Sequence, residues 1–260
     1  MKKILITILL MLPVAGWAQG DDWGAWISLG ADKKVGKKFS YEVEAEVRTR
    51  DDFTTMDRLS IGASADYKLA KWLKASAGYT LLYDGNFERI TYYDADDPEV
   101  ALQEIVEAGD PKRYVKYDLL RHRTNVSLTG DVNIGHFNVS LRERWQYTYR
   151  PERTVDQRYD YYEEAWDGTP HTYRGKGKSV LRSRLQVEYK KKGLKLTPYV
   201  SAEAFNAWGL QKMRYSAGFD WKMNKRNAFG LAYRYQHIYG EDDDNEPNMH
   251  VVSVSYKRKF

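Results

Sequence analysis

The sequence predicts an all-β fold, an antiparallel transmembrane β-barrel of about ten strands. Three observations lead to this prediction: apolar and polar side chains alternate with a period of two, this pattern recurs along the chain, and short connections alternate with long ones. The clearest unit is 39–48 (FSYEVEAEVR), in which odd positions are apolar and even positions are polar or charged. Side chains alternate across a strand with this period. A membrane barrel places the apolar face towards lipid and the charged face towards its lumen.

Residues 1–18 are predicted to be a secretory signal peptide. A basic start at Lys2 and Lys3 precedes an apolar core over 4–12, and 16–18 (GWA) is a small-x-small cleavage site. The core is shorter than the roughly 20 residues that span a bilayer as a helix. An uncleaved membrane anchor is the alternative interpretation. Because the chain contains no cysteine, we expect no lipoprotein anchor, disulfide framework or thiolate metal site.

The composition favours a barrel over a soluble domain. The chain has 21 Tyr and 8 Trp although its mean hydropathy is −0.69. Barrels are polar on average because only one face of each strand is apolar, and their aromatic residues gather at the two membrane interfaces. The formal net charge is +5, but the basic residues form no single patch interleaved with aromatic residues. Nucleic-acid binding is therefore not expected.

Alternating segments follow the signal along the whole chain. Most are ended by Gly, Pro, Asn, Asp or a lysine-rich run, residues that favour turns and loops. In order, the predicted strands are 23–35, 39–50, 58–69, 73–83, 120–129, 137–149, 181–190, 195–205, 213–221, 229–235 and 250–260.

Short and long connections alternate between these segments. The short set is 70–71, 130–135, 191–193 and 224–227, and the long set is 51–57, 84–117, 150–178, 206–211 and 238–247. Short periplasmic turns and long outer loops are typical of outer-membrane barrels. Within the second long loop, the stretch 98–108 favours a short helix capped by Asp97.

The strand count leaves the first segment without a defined place. The ten strands from Phe39 onward begin and end at the periplasmic side, so the barrel domain is predicted as 38–260. A strand at 23–35 would break the even count usual for such barrels. The segment 19–37 is therefore expected in the lumen, beneath the barrel, or as an extra strand of a twelve-strand wall.

The last strand resembles a known assembly signal. Phe260, with Tyr256, Val254 and Val252 at alternating positions before it, resembles the C-terminal signal read by the barrel assembly machinery of the outer membrane. Arg258 departs from that pattern, which prefers an apolar residue there. The resemblance implies that deletion of Phe260 impairs assembly.

The wider layout resembles a family of Gram-negative outer-membrane barrels catalogued as domain of unknown function 2490. The similar features are the pair Trp23 and Trp26 and the strands that contain 48–50 (RTR), 121–123 (RHR) and 214–218 (RYSAG). The resemblance covers the chain after the signal. It implies a barrel in the cell outer membrane, reached through the periplasm, and it implies no activity.

Alternation places many charges on the inward faces. The candidate lumen-lining residues are Glu42, Glu44, Glu46, Arg48, Arg121, Arg123, Arg142, Arg144, Arg182 and Arg184. One interpretation is a selectivity path for an anionic solute. The other, which we favour, is a salt-bridged filling, because barrels of this strand number are narrow.

Three residues break the apolar pattern of the lipid face: His122, Thr124 and Glu143. If the hairpin turned about 132–133, His122 would lie opposite Glu143. The spacing of His122 and Thr124 is similar to the His-x-Ser of outer-membrane phospholipases and lipid A deacylases, so a lipid acyl hydrolase is the alternative function. A bulge or an interfacial pair is the structural interpretation, and we expect no enzyme and no catalytic residue.

Two loops contain residue types that could bind ligands. The run 242–246 (DDDNE) has carboxylates for calcium but lacks the spacing and glycine of a calcium loop, so a solvated acidic loop is favoured and no metal is expected. The tyrosine-rich loop 150–178 suits sugar stacking or loop packing.

The predicted role is a narrow or plugged outer-membrane barrel with a structural, binding or small-solute (anionic) passage function. The predicted partners are outer-membrane lipids, lipopolysaccharide and, during biogenesis, the barrel assembly machinery. No cofactor is expected.

Overall fold

Alternating side chains give every long strand one apolar face and one polar face. On the second strand, Val43 and Val47 are exposed on the outer surface, whereas Glu46 and Arg48, on either side of Val47, are half-buried inside. The computed structural model describes residues 21–98, 100, 106–239 and 247–260, which form a closed barrel with this polarity. The predicted all-β barrel fold is confirmed.

Fifteen strands are present in the described residues, eleven long and four short. The strands are β1 (Asp22–Val35), β2 (Phe39–Arg50), β3 (Thr55–Lys68), β4 (Leu73–Tyr92), β5 (Pro111–Ile134), β6 (Phe137–Arg150), β7 (Arg153–Val155), β8 (Tyr159–Asp160), β9 (Ala165–Trp166), β10 (His171–Tyr173), β11 (Lys176–Tyr189), β12 (Leu196–Asn206), β13 (Leu210–Lys222), β14 (Asn227–Ile238) and β15 (Met249–Lys259). The eleven long strands form the wall, and β7–β10 lie in one connection.

The wall is an antiparallel meander that closes through a parallel pair. Around the barrel the order is β4-β3-β2-β1-β15-β14-β13-β12-β11-β6-β5, and β5 returns to β4. Strand β1 pairs with β15 in parallel, from Asp22 opposite Met249 to Asp32 opposite Lys259. A meander with an odd number of strands must contain such a pair when it closes, because its first and last strands run in the same direction.

The N-terminal segment is therefore a wall strand. The wall of the described chain has eleven strands, whereas even parity required ten or twelve. Of the three places considered for 19–37, the position of Asp22–Val35 corresponds to an extra wall strand. The wall then has eleven strands and not the twelve that this alternative assumed. Asp22 lies at the end where the long connections lie, and the amide of Phe260 donates to the carbonyl of Asp32 near the other end, at 2.9 Å.

The two ends of the barrel differ in their connections. We call them the short-turn end and the long-loop end. The short turns are 36–38, 69–72, 135–136, 190–195 and 223–226, and the other connections are 51–54, 93–110, 151–175, 207–209 and 239–248. Only three of the second set are long, because 51–54 and 207–209 are tight. The tightest turn, Gly135-His136, has Gly135 at φ 61°, a conformation that favours glycine.

Strands β4 and β5 are longer than predicted. Much of the expected loop 84–117 is strand, with Phe87 opposite Tyr117 and Ile90 opposite Tyr114. A register shift between Asp84 and Phe87 lets the hairpin continue past the wall. The hairpin therefore carries an inward apolar face above the barrel mouth.

Several predicted segments lie outside the described residues. They are the signal peptide 1–18, most of the expected helix 98–108, and the acidic run 242–246.

Candidate functional site

Near the long-loop end of the lumen, one carboxylate lies between two guanidinium groups. Asp84 on β4 accepts a hydrogen bond from Arg58 on β3 and forms an ion pair with Arg121 on β5, Nε to Oδ2 at 2.6 Å. The three side chains are only 5–6% exposed. Charges withdrawn from water in this way are stable only when they are paired. We call this the Asp84 layer.

The Asp84 layer leaves little free space beside it. A cavity of about 40 Å³ is lined by residues that include Trp26, Arg48, Phe87 and Arg121. A volume of this size holds only a few water molecules. No hydrated solute of larger size fits there.

A second carboxylate, Glu203 on β12, is surrounded by guanidinium groups from three strands. Arg182 Nη2 donates to its Oε2 at 3.0 Å, Arg142 Nη2 donates to its Oε1 at 2.5 Å, and Arg214 Nη1 lies 4.0 Å away. The Glu203 side chain is 7% exposed. Arg182 and Arg214 also donate to Gln146 and Gln236. We call this the Glu203 layer.

Trp26 on β1 collects three guanidinium groups on its ring. The centroid lies 4.0 Å from Arg48, 4.6 Å from Arg214 and 5.0 Å from Arg234. The residue is 3% exposed. A tryptophan face attracts cations, and the attraction is stronger where water is excluded. Trp26 therefore holds together arginines that would otherwise repel one another.

These contacts cross the lumen from wall to wall. Strands β12 and β2 are five steps apart in one direction around the eleven-strand wall and six in the other, so they face each other. The contacts run from Glu203 through Arg214, Trp26 and Arg48 to Glu46, where Arg48 Nη2 lies 2.6 Å from Glu46 Oε1. These contacts therefore link strands on opposite sides of the wall.

An apolar cluster covers the long-loop end. It joins the extended β4–β5 hairpin to the β7–β10 hairpin through Phe87, Val115, Tyr117, Leu119, Val155 and Tyr173. The ring of Tyr117 lies 5.3 Å from that of Phe87 and stacks on that of Tyr173 at 5.7 Å. Because Val115, Tyr117 and Leu119 continue the inward-facing alternation of β5, the cluster lies over the mouth. We call this cluster the cap.

Polar residues at the edge of the cap have shifted acidities. Partial burial, together with the charges of Arg158 and Arg113, lowers the pKa of His171 on β10. The backbone amide of Arg158 donates to Asp167, at 2.9 Å, and lowers the pKa of that carboxyl. The cap is thus set to hold a neutral His171 and an ionised Asp167.

At the short-turn end the lumen side chains are more accessible to solvent. Three ion pairs lie there, Lys257 with Glu42, Lys74 with Asp66, and Lys190 with Glu188. Their lysine side chains are 39–50% exposed, compared with 5–7% for Asp84 and Glu203. The lumen is therefore a vestibule that opens at the short-turn end and is closed at the long-loop end.

The structure distributes the predicted lumen-lining residues over these parts. Glu42 and Glu44 border the vestibule, where Glu44 has glycines opposite it on both neighbouring strands. Glu46, Arg48 and Arg121 belong to the contacts described above. Arg123 Nε donates to Thr148 Oγ1 at 3.2 Å. Arg142, Arg144, Arg182 and Arg184 face the lumen on β6 and β11.

Sequence reasoning missed two central residues. Trp26 was noted only for the family layout, and Asp84 was placed in a loop. The inward alternation of β4 reaches Asp84 from Thr80 and Leu82, a signal that the adjacent glycine obscured. For Trp26, the alternation of β1 indicated which positions face inward. This signal was not used, because the sequence did not establish that the segment is a wall strand.

The pairing of His122 with Glu143, which depended on a turn at 132–133, does not occur. The hairpin turns at 135–136, so His122 lies opposite Tyr149, and Glu143 lies opposite Leu128. On the outer face, Tyr79 Oη lies 2.7 Å from His122 Nδ1, and Ser183 Oγ donates to Glu143 Oε2 at 2.6 Å. The three residues proposed for an acyl hydrolase therefore do not form one site.

The residues of the expected assembly signal lie on the last strand. Val254 and Tyr256 pair with Leu231 and Phe229, and Tyr256 Oη donates to Asn227 Oδ1 at 2.9 Å. Phe260 is exposed beneath Arg258, whose guanidinium lies 5.3 Å from its ring centroid.

The arrangement of the chain was compared with known families. The model of a protein family described as "Protein of unknown function (DUF2490)" matches residues 23–246, most of the chain. This chain belongs to the DUF2490 family. The match includes ten of the eleven wall strands of this DUF2490 protein, and it carries no statement of activity.

Solved structures of other proteins are similar to this chain at low identity. The β domain of the Bordetella autotransporter BrkA is 10% identical, with a TM-score of 0.49, over 86% of this chain and 82% of that one. Two mutants of the ferric enterobactin receptor of Pseudomonas aeruginosa are 10% and 11% identical, with TM-scores of 0.34 and 0.31, over 79% of this chain and 35% of theirs. The comparison with curated proteins found no match.

Two further features of the DUF2490 chain concern its described residues. No helix there is both long and apolar enough to cross a membrane. Within the same residues, His, Cys, Asp and Glu side chains form no group of three or more that could hold a metal ion.

Proposed function

We propose that this protein is an outer-membrane β-barrel that does not conduct, with a lumen that is open to the periplasm and closed to the outside. The exposed apolar outer surface supports membrane insertion, since large apolar side chains such as Leu29, Ile61 and Val200 are exposed on the wall. The difference between the two ends supports periplasmic short turns and external long loops.

The line of contacts from Glu203 to Glu46 is the observation that carries the proposal. An open pore keeps a continuous aqueous path, whereas here Trp26 and three arginines form a buried set of contacts inside the lumen. The Asp84 layer and the cap close the same path twice more towards the long-loop end. Three successive barriers are more than a transient gate requires.

A closed barrel acts through what it binds or holds at its two ends. The vestibule offers charged groups to periplasmic solutes, and the connections of the long-loop end offer aromatic side chains, including Trp166 and Trp208, to the exterior. Outer-membrane lipids and lipopolysaccharide would surround the wall, and the barrel assembly machinery would insert it. The proposed role is non-enzymatic.

Conductance in a planar lipid bilayer tests the proposal. The wild-type barrel, shown to be folded by its heat-modifiable migration, is expected to give no stable current steps. Trp26→Ala alone is expected to stay silent, because the Asp84 layer and the cap remain closed, whereas Trp26→Ala combined with Arg121→Ala and Tyr117→Ala, one change in each barrier, is expected to produce steps. Trp166→Ala, which truncates an exposed tryptophan of β9 in a long loop, is the matched control and is expected to stay silent.

Passage of small anions is the second candidate, because arginines outnumber carboxylates in the lumen layers. Stable steps with anion preference in the wild type would favour this candidate and would overturn the closed barrel. A protein that is absent from the outer-membrane fraction would overturn both.

A further inference from the structure

Four arginines form a square on the inner wall. Arg142 and Arg144 on β6 lie directly opposite Arg184 and Arg182 on β11. Residues opposite each other in an antiparallel pair have Cβ atoms about 4.5–5.5 Å apart, and like charges at such positions are destabilising. Four neutral side chains at these positions would avoid the electrostatic repulsion between the four arginines. We call this group the arginine square.

One carboxylate serves the arginine square. Glu203 contacts Arg142 and Arg182, which lie on one diagonal of the square. Within the described residues, Arg144 and Arg184 on the other diagonal have no carboxylate in ion-pair contact. The nearby Asp66 is engaged by Lys74 at 3.1 Å. Glu203 lies directly opposite Arg184 across β11 and β12, so one carboxylate is shared by four guanidinium charges and the square keeps a surplus of positive charge.

Hydrogen-bond donors on this diagonal are also unused. The Nε atoms of Arg144 and Arg184 are buried and have no protein acceptor among the described residues, and the same is true of Ser127 Oγ. Ser127 lies opposite Arg144 on β5 and is 7% exposed. Water can accept hydrogen bonds from these groups, but it cannot neutralise two guanidinium charges.

The arginine square is reached from the short-turn end. The Asp84 layer and the cap lie on its other side, and Glu203 lies level with Arg184 and Arg142. The half-exposed pairs Lys74–Asp66 and Lys190–Glu188 border the vestibule below the square. A small anion can enter along these pairs. A macromolecule cannot.

We propose that the arginine square binds a tetrahedral oxyanion, phosphate or sulfate, free or as the terminal group of a small periplasmic solute. Guanidinium groups bind such anions through parallel N–H donors, and two facing arginines match the charge of one divalent anion. Arg144 and Arg184 hold the anion, Ser127 Oγ donates to it, and Glu203 keeps the other diagonal in place. The position at the closed end of the vestibule rests on the proposed function.

Binding can be measured on the purified full-length barrel in detergent micelles. The thermal midpoint of unfolding and the heat of binding are followed while phosphate, sulfate or glycerol phosphate replaces chloride at constant ionic strength. A ligand that binds the folded state raises its midpoint in proportion to occupancy. We expect a saturable rise with the wild type, and the tightest of the three ligands identifies the free anion or the ester as the occupant.

Variants separate a binding site from general charge screening. Arg184→Gln is expected to weaken the anion about tenfold or more, because it removes charge-assisted hydrogen bonds. It also relieves repulsion, so its midpoint in chloride alone should be equal to or above that of the wild type, which shows that the fold is intact. Lys257→Gln changes a lumen cation on β15, outside the square, and should keep the response.

Two results would overturn the proposal: equal responses of the wild type to chloride and to the three oxyanion ligands, or saturable binding retained by Arg184→Gln and Arg144→Gln. Failure of the closed-barrel proposal is detected by a different measurement, the conductance. A wild type that conducts and still binds phosphate would retain the site and lose only the closed lumen.

Discussion

Ser28 on β1 and Ser255 on β15 lie directly opposite each other across the parallel pair that closes the wall. Both side chains belong to the inward-facing set of their strands, next to Trp26 and Ser253. The same pairing fixes the depth of Trp26, because a shift of two residues along β15 would carry its ring towards one end of the lumen. The register that closes the wall therefore also determines where the Trp26 ring lies in the lumen.

A pair of cysteines tests this closure. In the chain with Ser28→Cys and Ser255→Cys, a disulfide is expected, because directly paired residues fall within the Cα distance of about 4.4–6.8 Å that a disulfide requires. The native chain has no cysteine to interfere. The bond joins the two ends of the barrel domain, so non-reducing gels of the denatured protein should show altered migration.

The matched control moves one cysteine by two positions on the same face. Ser28→Cys with Ser253→Cys should cross-link poorly, because Ser253 lies opposite Trp26 and about 6–7 Å further along the strand. Equal cross-linking of both pairs, or of neither, would contradict the parallel register.

Loss of the Glu203 carboxylate should destabilise the barrel strongly. Glu203→Gln leaves Arg142, Arg182 and Arg214 without their shared anion, and removing one partner of a buried pair costs about 3–5 kcal/mol. The measurement is the free energy of unfolding by guanidinium chloride in lipid vesicles.

Glu88→Gln is the control for this change. Glu88 forms an ion pair with Lys116 at 3.0 Å, but both side chains are over 40% exposed. Pairs of that kind contribute about 0–1 kcal/mol. A loss for Glu203→Gln no larger than that for Glu88→Gln would show that the lumen arginines do not depend on Glu203.

Alternation in the sequence was sufficient to predict the barrel and the two faces of its strands, because successive side chains of a strand point to opposite faces. It was not sufficient for register. The turn at Gly135-His136 pairs residues whose numbers sum to 271, whereas the assumed turn at 132–133 gave 265, and this shift separates His122 from Glu143. Periodicity does not determine where a hairpin turns.

Closure and layering depend on long-range contacts that no local pattern contains. The parallel pair of β1 with β15 joins the two ends of the domain, and the partners of Glu203 come from β6, β11 and β13. The sequence supplies the charges on each strand. Which carboxylate meets which guanidinium follows from the shear of the closed wall.

Acidification should loosen the cap through His171. Its pKa is lowered in the folded cap by partial burial and by Arg158 and Arg113, so the unfolded loop binds a proton more readily. The contribution of the neutral ring is complete above the unfolded pKa of about 6.5 and declines as pH falls below it. The protection factors of the amides in 153–155 and 171–173, which compare observed with intrinsic exchange rates, should therefore fall between pH 7.5 and pH 5.5.

His171→Gln is the control for the pH effect, since glutamine does not titrate. Its exchange should change less over the same pH range after correction for the intrinsic rate. Asp167, whose pKa is lowered, titrates below this range and does not account for the effect. An equal acceleration in both proteins would assign the loosening to other groups.

Replacement of the outward-facing Glu143 by leucine should stabilise the barrel in a bilayer. Glu143 is exposed between Leu141 and Trp145, six residues from both Phe137 and Tyr149, which places its carboxyl about 15 Å from each end of the apolar strand surface, given the usual rise and tilt. Ser183 satisfies one of its oxygens. Ionisable groups on the lipid face cost up to about 2–4 kcal/mol, and acidic ones less. Glu143→Leu should therefore raise the free energy of unfolding in phospholipid vesicles by about 1–2 kcal/mol, whereas Glu88→Leu, beyond the wall, should not. A loss of stability in Glu143→Leu would mean instead that the carboxyl has a partner in the membrane and is retained for that contact.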